Sequence, residues 1–202
     1  MIEQTVAVDE TSISPDPFTQ LSQWLELARA AGEPLPEAMA LSTATRDGRP
    51  SSRMVLLRDI DHRGLVFYTD RGSEKGRELK DNPFAAALFH WHLPTHRQVR
   101  VTGAVTEVED EQSDAYWNTR PPGSRRSAVV SQQSAVISSK AVLEALLEEL
   151  ADASPPRPSR WGGYRIRPEV VEFWEEGADR LHDRFRYQPE ESREWRIERL
   201  SP

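Results

Sequence analysis

Three groups of residues in this chain could do chemistry. The first runs from Arg53 to Arg77: Arg53-Met-Val-Leu-Leu-Arg58, a turn over 59–64, Leu65-Val-Phe-Tyr-Thr69, then Gly72-Ser-Glu-Lys-Gly-Arg77. It reads as strand, turn, strand and a polar turn that opens a helix. An Arg stands at each end of the first strand. Ser73 and Lys75 sit beside the free N–H groups of the helix start, which suits an anion and phosphate above all. The second group is Arg180-Leu-His-Asp-Arg184. Read as a strand, it puts Arg180, His182 and Arg184 on one face. Such a face needs either a bound anion or carboxylate partners, for which Glu175 and Glu176 are at hand. The third group is His90, His92 and His96 around Trp91. A metal site needs converging ligands and a second shell. No carboxylate partner is evident, so the three read as a polar strand end. Asp114, Glu144, Glu148 and Glu149 fall on predicted helices and read as solvated faces. There is no Gly-rich dinucleotide fingerprint and no Walker loop.

Composition narrows the classes further. The chain has 202 residues, 29% charged and 37% hydrophobic, which suits a soluble globular protein with a real core. A net charge of -7 excludes bulk attraction to nucleic acid or an anionic membrane. Only Lys75, Lys80 and Lys140 are lysines; the other cations are Arg, the side chain suited to bidentate recognition of phosphate and carboxylate. The absence of Cys excludes disulfides, thiolate metal sites and Cys nucleophiles. No apolar run approaches a membrane span, and no signal-peptide pattern opens the chain. A cytoplasmic location is expected.

The elements that must position these groups follow from periodicity. Residues 1–14 are polar and irregular, predicting a flexible N-terminal segment. Asp16-Pro17 reads as N-cap and first residue of a helix that carries Phe18, Leu21, Trp24, Leu25 and Ala28 and closes at Gly32. Strands are predicted over 38–45, 51–59, 65–69, 84–91 and 98–109, with Asp47-Gly48 and 61–64 as turns. A short helix spans 73–81 and stops before Pro83. Helices follow over 111–119, 125–134 and 140–151, with 120–124 as a breaker and 154–159 as a Pro-rich loop. Strands over 161–174, 180–187 and 195–200 close the chain. The fold class is mainly β with peripheral helices (α+β): a small antiparallel barrel formed by the strands before 110 and after 161, with the helices between them packed outside.

With these pieces assembled, the sequence resembles the pyridoxine (pyridoxamine) 5′-phosphate oxidase family from about residue 15 to 202. The resemblance is carried by Asp16-Pro17, Trp24-Leu25, Arg53-Met-Val-Leu-Leu, Val66-Phe-Tyr-Thr69, Gly72-Ser73, Lys75, Asn82-Pro83 and Trp91-His92. It continues through Arg97-Gln98-Val99, Tyr116, Arg120-Pro121, Ser131, Gln133-Ser134, Trp161-Gly-Gly-Tyr164, Glu172-Phe-Trp174, Arg180-Leu-His-Asp-Arg184 and Glu198-Arg-Leu-Ser-Pro202. It implies an FMN-binding split β-barrel that works as a homodimer, one domain over 15–202, with flavin sites at the dimer interface. Arg53, Met54, Val55, Leu56, Leu57, Arg58, Tyr68, Thr69, Ser73, Lys75 and Gln98 would contact FMN from one subunit, joined by Gln133, Ser134, Trp174 and Arg184, with both subunits contributing. Arg58, Tyr116, Arg120 and Ser124 would bind the phosphate of a phosphorylated small-molecule substrate. Arg180 and His182 would lie against its ring as the catalytic pair. The implied reaction is hydride transfer from substrate C4′ to the flavin, giving pyridoxal 5′-phosphate, with O₂ as acceptor and H₂O₂ as product.

Four departures bear on binding. No Arg-x-x-Tyr-like element is found in residues 1–14, Arg58 replaces a Lys, and Glu74 replaces an Arg expected at the FMN phosphate. Arg125-Arg126-Ser127 replaces a Gln-Ile-Gly-like run beside Ser124. Glu74 should repel the phosphate unless it turns to solvent or pairs with Arg71 or Arg77. These changes keep two alternatives in view: an FMN oxidase of secondary metabolism acting on a dihydrophenazine-type intermediate, and a non-catalytic flavin-binding protein.

Overall fold

The computed structural model describes residues 8–151, 153–190 and 194–202. Helix α1 (Pro17–Ala30) starts where expected: the Asp16 carboxylate accepts from Thr19 N at 2.8 Å, and Pro17 needs no N–H partner. Its buried stripe of Leu21, Trp24, Leu25 and Ala28 seats it on the sheet, with Trp24 edge-on to Phe173 at 5.1 Å. The strands are β1 (Ala38–Ala44), β2 (Pro50–Leu56), β3 (Asp59–Asp61), β4 (Gly64–Asp70), β5 (Phe84–Trp91), β6 (Arg97–Glu107), β7 (Trp161–Glu175), β8 (Asp183–Pro189) and β9 (Trp195–Arg199). Every pairing is antiparallel, in the order β2-β1-β5-β6-β7-β4-β3, and β8 and β9 continue from the far half of β7. The sheet curls until Arg58 N, just past β2, donates to Val66 O on β4 at 2.8 Å. Alternating residues fill the interior: Met39, Leu41, Phe67, Phe89, Val99, Val101, Ile166 and Phe173 are fully or almost fully buried. This is the split barrel expected from the sequence.

The remaining helices lie outside: α2 (Glu74–Asp81), α3 (Asp110–Thr119), α4 (Pro122–Val130) and α5 (Lys140–Glu149). Several predicted bounds are corrected. The strand expected over 51–59 is broken at Leu57-Arg58, because those N–H groups turn to Glu37 O and Val66 O; β3 then pairs back on β4. The helix expected over 125–134 begins three residues earlier, with Pro121 as N-cap and Pro122 in its first turn, and ends at Val130, leaving Gln133 and Ser134 in a loop. The strand expected from Arg180 begins at Asp183 instead. Asp179 and Arg180 have φ of 54° and 65°, within a one-turn 3₁₀ segment that no ladder can include. Of the segment expected to be flexible, residues 8–14 are seated on the barrel. Val8 N donates to Glu175 Oε1 at 3.2 Å, and Ser14 O accepts from the Tyr187 hydroxyl at 2.6 Å. Residues 1–7 lie outside the described residues.

Candidate active site

The first half of the site is built where β2, β4, α2, α3 and α4 meet. Ser73 caps α2 and is fully buried, accepting from Gly76 N. Asp70 shapes the turn before it, accepting from Gly72 N at 2.7 Å through Oδ1. Lys75, 5% exposed, points back under this turn. Its Nζ donates to Gln133 Oε1 at 2.8 Å and to the hydroxyls of Thr69 and Ser73, both at 3.3 Å. None of these partners is a carboxylate. Burial, followed by the nearby Arg53, lowers the Lys75 pKa. An ammonium held only by neutral acceptors, beside a helix N-terminus, suits a phosphate dianion.

Above it lies a cavity of about 580 Å³ lined by Met54, Val55, Leu56, Arg58, Tyr68, Thr69, Lys75, Tyr116, Thr119, Arg120, Pro121, Ser124, Gln133 and Trp161. The lining has three cations and no carboxylate. An adjoining pocket adds Asp70, whose Oδ2 is already paired with Arg160 at 2.9 Å. Tyr68 stacks on Tyr116 with centroids 4.2 Å apart and on Trp161 at 5.4 Å, forming an aromatic wall. The Arg120 guanidinium lies 4.7 Å from the Trp161 centroid and Arg58 lies 6.0 Å from that of Tyr116. Arg120 Nη1 is buried with no hydrogen-bond partner, and burial lowers the Arg120 pKa. Neither Arg58 nor Arg120 has a carboxylate partner among the described residues, so the pair suits an anion in this cavity.

Four candidates of this half lie outside the cavity lining. Leu57 is in the core, 5% exposed, and its N–H is taken by Glu37 O. Ser73 is enclosed under the α2 turn. Ser134, at φ 72°, accepts from Glu74 N through Oγ at 3.2 Å. Arg53 turns into a polar cluster: it reaches the Thr43 and Ser51 hydroxyls and sits 3.3 Å from the buried Glu78 carboxylate. Glu78 in turn accepts from Ser51 Oγ at 2.8 Å and from Thr43. Glu74 pairs with neither Arg71 nor Arg77. It is 59% exposed and 3.9 Å from Arg53, while Arg71 faces Glu107 and Arg77 donates to Gly72 O.

The second half lies elsewhere. Gln98, Trp174 and Arg184 are register partners across β6, β7 and β8 and line a separate cavity of about 260 Å³, so Gln98 lies with these two and not, as expected, with the Arg53–Lys75 set of the same subunit. Arg184 is held by Glu172 Oε1 at 2.7 and 2.9 Å and by Ser201 O at 2.8 Å, so its carboxylate partner is Glu172 and not Glu175 or Glu176. Glu175 instead pairs with the buried Arg97, and Glu176 lies 3.3 Å from His96. His182 packs on Trp174 with centroids 4.6 Å apart. Its Nδ1 accepts from Gly177 N at 3.2 Å, which leaves Nε2 as the ring's other polar atom. Arg180 is exposed. Tyr68 pairs with Gly163, and from Gly163 to Trp174 is roughly 35 Å of strand at about 3.3 Å per residue. One protomer does not bring the two halves together.

His90, His92 and His96 contact one another, with centroids 4.5 to 6.3 Å apart. Among the described residues no group of His, Cys, Asp or Glu is arranged to hold a metal ion. Asp114 and Glu144 are exposed and paired with Arg157 and Lys140, as expected of solvated helix faces. No helix among the described residues is long and apolar enough to cross a membrane.

Comparison with known proteins decides the family. Residues 28–153 match the description "Pyridoxamine 5′-phosphate oxidase", and residues 161–202 match "Pyridoxine 5′-phosphate oxidase C-terminal dimerisation region". The chain belongs to the pyridoxamine 5′-phosphate oxidase family. It is an oxidase of that family. The pyridoxine/pyridoxamine 5′-phosphate oxidase of Burkholderia ambifaria is 45% identical over 201 residues, 97% of this chain and 94% of that one. That of Herminiimonas arsenicoxydans is 46% identical over 198 residues, 96% and 93% of the two chains. Among solved structures, PhzG from Burkholderia lata 383, in complex with tetrahydrophenazine-1-carboxylic acid, superposes with a TM-score of 0.92 at 35% identity, covering 98% of each chain.

Sequence reasoning missed three contributors. Trp161 belongs to a quoted motif but carried no assigned role, since nothing in its spacing shows that it supports Tyr68 and Arg120. Glu78 lies one turn after Glu74 on α2 and looks like any solvated carboxylate. Arg160 looks like one more loop arginine.

Proposed function

We propose that this oxidase converts pyridoxine 5′-phosphate or pyridoxamine 5′-phosphate to pyridoxal 5′-phosphate, using O₂ and releasing H₂O₂, as a homodimer with two interfacial sites. The observation that carries this reading is the cavity lined by Arg58, Lys75 and Arg120 with no carboxylate among its lining residues. Lys75, Thr69, Ser73 and Gln133 would hold the FMN phosphate, with the α2 N-terminus behind it. FMN when bound supplies the hydride acceptor and the route to O₂. With Lys75 so engaged, Arg58 and Arg120 remain, two positive charges for the two negative charges of a substrate phosphate, with Ser124 and Tyr116 as hydroxyl partners. Trp161 and Tyr68 exclude water behind the ring.

The second half of the site would come from the partner protomer. Gln98, Trp174 and Arg184 would flank the flavin, the Glu172 pair fixing the Arg184 guanidinium in place. His182 would present Nε2 to the substrate, and Arg180, free of an ion-pair partner among the described residues, would cover its ring. The match of residues 161–202 to a dimerisation region supports this arrangement.

A second reading has its own support. The likeness to PhzG at TM-score 0.92 favours oxidation of a dihydrophenazine carboxylate, whose single negative charge would leave one arginine uncompensated. Peroxide release measured with pyridoxine 5′-phosphate and with a dihydrophenazine carboxylate separates the two. Turnover of the phosphate ester is expected; turnover of the phenazine alone rejects the vitamin B6 reading. Failure of the purified protein to retain or take up FMN would support a different ligand altogether.

A further inference from the structure

We propose that Arg160 is a positioning residue, tying the exit of α4 to the phosphate-binding turn so that Gln133 and Ser134 reach the flavin. Arg160 stands just before β7. Its Nη2 hydrogens are shared among the carbonyls of Ala128 at 2.9 Å, Val129 at 2.8 Å and Ser131 at 3.0 Å. Its Nε donates to Asp70 Oδ2 at 2.9 Å. The backbone joins the same crossing, since Arg71 N donates to Arg160 O at 2.6 Å. Asp70 is therefore used twice: Oδ1 shapes the turn into α2, and Oδ2 anchors the guanidinium that gathers the end of α4.

The tether matters because little else seats this segment. The carbonyls that Arg160 gathers are the ones a helix leaves without intrahelical donors. Helix α4 buries no residue, and α5, which packs on it, buries none either. Within one protomer, no fully buried apolar side chain fixes the pair. The loop that follows carries Gln133, bonded to Lys75 and Thr69, and Ser134, held at φ 72° against Glu74 N. A non-glycine residue keeps such a φ only where its surroundings determine it. Without Arg160, Gln133 and Ser134 would have to order their own loop. The first turn of α4 also holds Ser124, so one tether serves both the flavin half and the substrate half. The inference rests on the reading of Gln133 and Ser134 as flavin-site residues.

The test uses the full-length dimer and the variants Arg160→Gln, Arg160→Lys and Gln133→Ala. Arg160 is one-third exposed, so substitution removes little packing. Three quantities are read: FMN dissociation constant by flavin fluorescence, amide hydrogen exchange over 128–135 and over β6 in the FMN-free protein, and KM and kcat for pyridoxine 5′-phosphate at saturating FMN. Arg160→Gln is expected to weaken FMN about tenfold, to speed exchange over 128–135 but not in β6, and to raise KM with kcat nearly unchanged. Arg160→Lys, which keeps the Asp70 pair but cannot gather three carbonyls, should fall between. If Gln133→Ala weakens FMN while Arg160→Gln leaves both affinity and local exchange unchanged, the inference is overturned. Exchange raised equally in β6 overturns it as well, by making Arg160 a general stabiliser. If Gln133→Ala leaves FMN affinity intact, the flavin-site reading fails, and exchange over 128–135 still decides whether the tether exists.

Discussion

At the scale of single residues, the phosphate turn is a balance of charges. Lys75 and Arg53 face Glu74 and Glu78, and the two acids differ in exposure. Glu78 is buried and permanently occupied by Thr43, Ser51 and Arg53, so Arg53 is largely neutralised before any ligand arrives. Glu74 is exposed and only loosely paired. Removing its charge with Glu74→Gln should tighten FMN by roughly two- to fivefold, the worth of a solvent-screened ion–ion term of about 0.5–1 kcal/mol. Glu74→Arg should tighten it further, and a fluorescence titration reads both. Lys75 predicts a pH dependence. Burial lowers its pKa in the FMN-free fold relative to the unfolded chain. Its contribution to stability is then present above the unfolded value and lost as pH falls through the folded one, so at neutral pH the charged ammonium is a cost that a phosphate removes. The rise in melting temperature on adding FMN should accordingly be larger at pH 7 than at pH 10, and Lys75→Met should flatten that difference.

At the scale of elements, the glycines of the Trp161-Gly-Gly-Tyr164 segment hold the aromatic wall. A Cβ on Gly163 would lie 2.7 Å from Tyr68 Cε1 and 2.5 Å from Val108 Cγ2. Gly163→Ala should therefore push Tyr68 off Tyr116, raise KM for pyridoxine 5′-phosphate about tenfold and lower the melting temperature, as overpacking by about 1–3 kcal/mol does. The barrel strands were legible because their period of two is strong. Val99, Val101 and Val105 alternate on β6, whereas β4 was legible as a short apolar run, Leu65-Val-Phe67, buried throughout. The Asp16-Pro17 start of α1 was legible because its cap chemistry is local. What escaped was set by tertiary partners. The break at Leu57-Arg58 depends on acceptors at Glu37 and Val66, and the α4 exit depends on Arg160. The 3₁₀ segment at Arg180 dissolved the supposed same-face arrangement of Arg180, His182 and Arg184. The two cationic groups at 53–77 and 180–184 were read from residue type and spacing, and the individual roles from motif resemblance. Their partners, Trp161, Glu78 and Arg160, lack a local signal, since each acts through a contact distant in sequence.

At the scale of the whole molecule, the two sets of candidate residues lie at separate places on one protomer, joined by the length of β7. A site built from both sets needs two copies of the chain. Hybrid dimers test it most directly. Arg120→Ala and Arg180→Ala each injure one half, and each homodimer should lose most of its turnover of pyridoxine 5′-phosphate while keeping FMN. When the two variants are unfolded together and refolded as mixed dimers, one site of each hybrid regains Arg120 from one chain and Arg180 from the other. Recovery of peroxide-forming activity, approaching half the wild-type value per hybrid dimer, is the predicted result. Hybrid dimers no more active than the parent variants would show that each site is built within a single chain and would contradict the account.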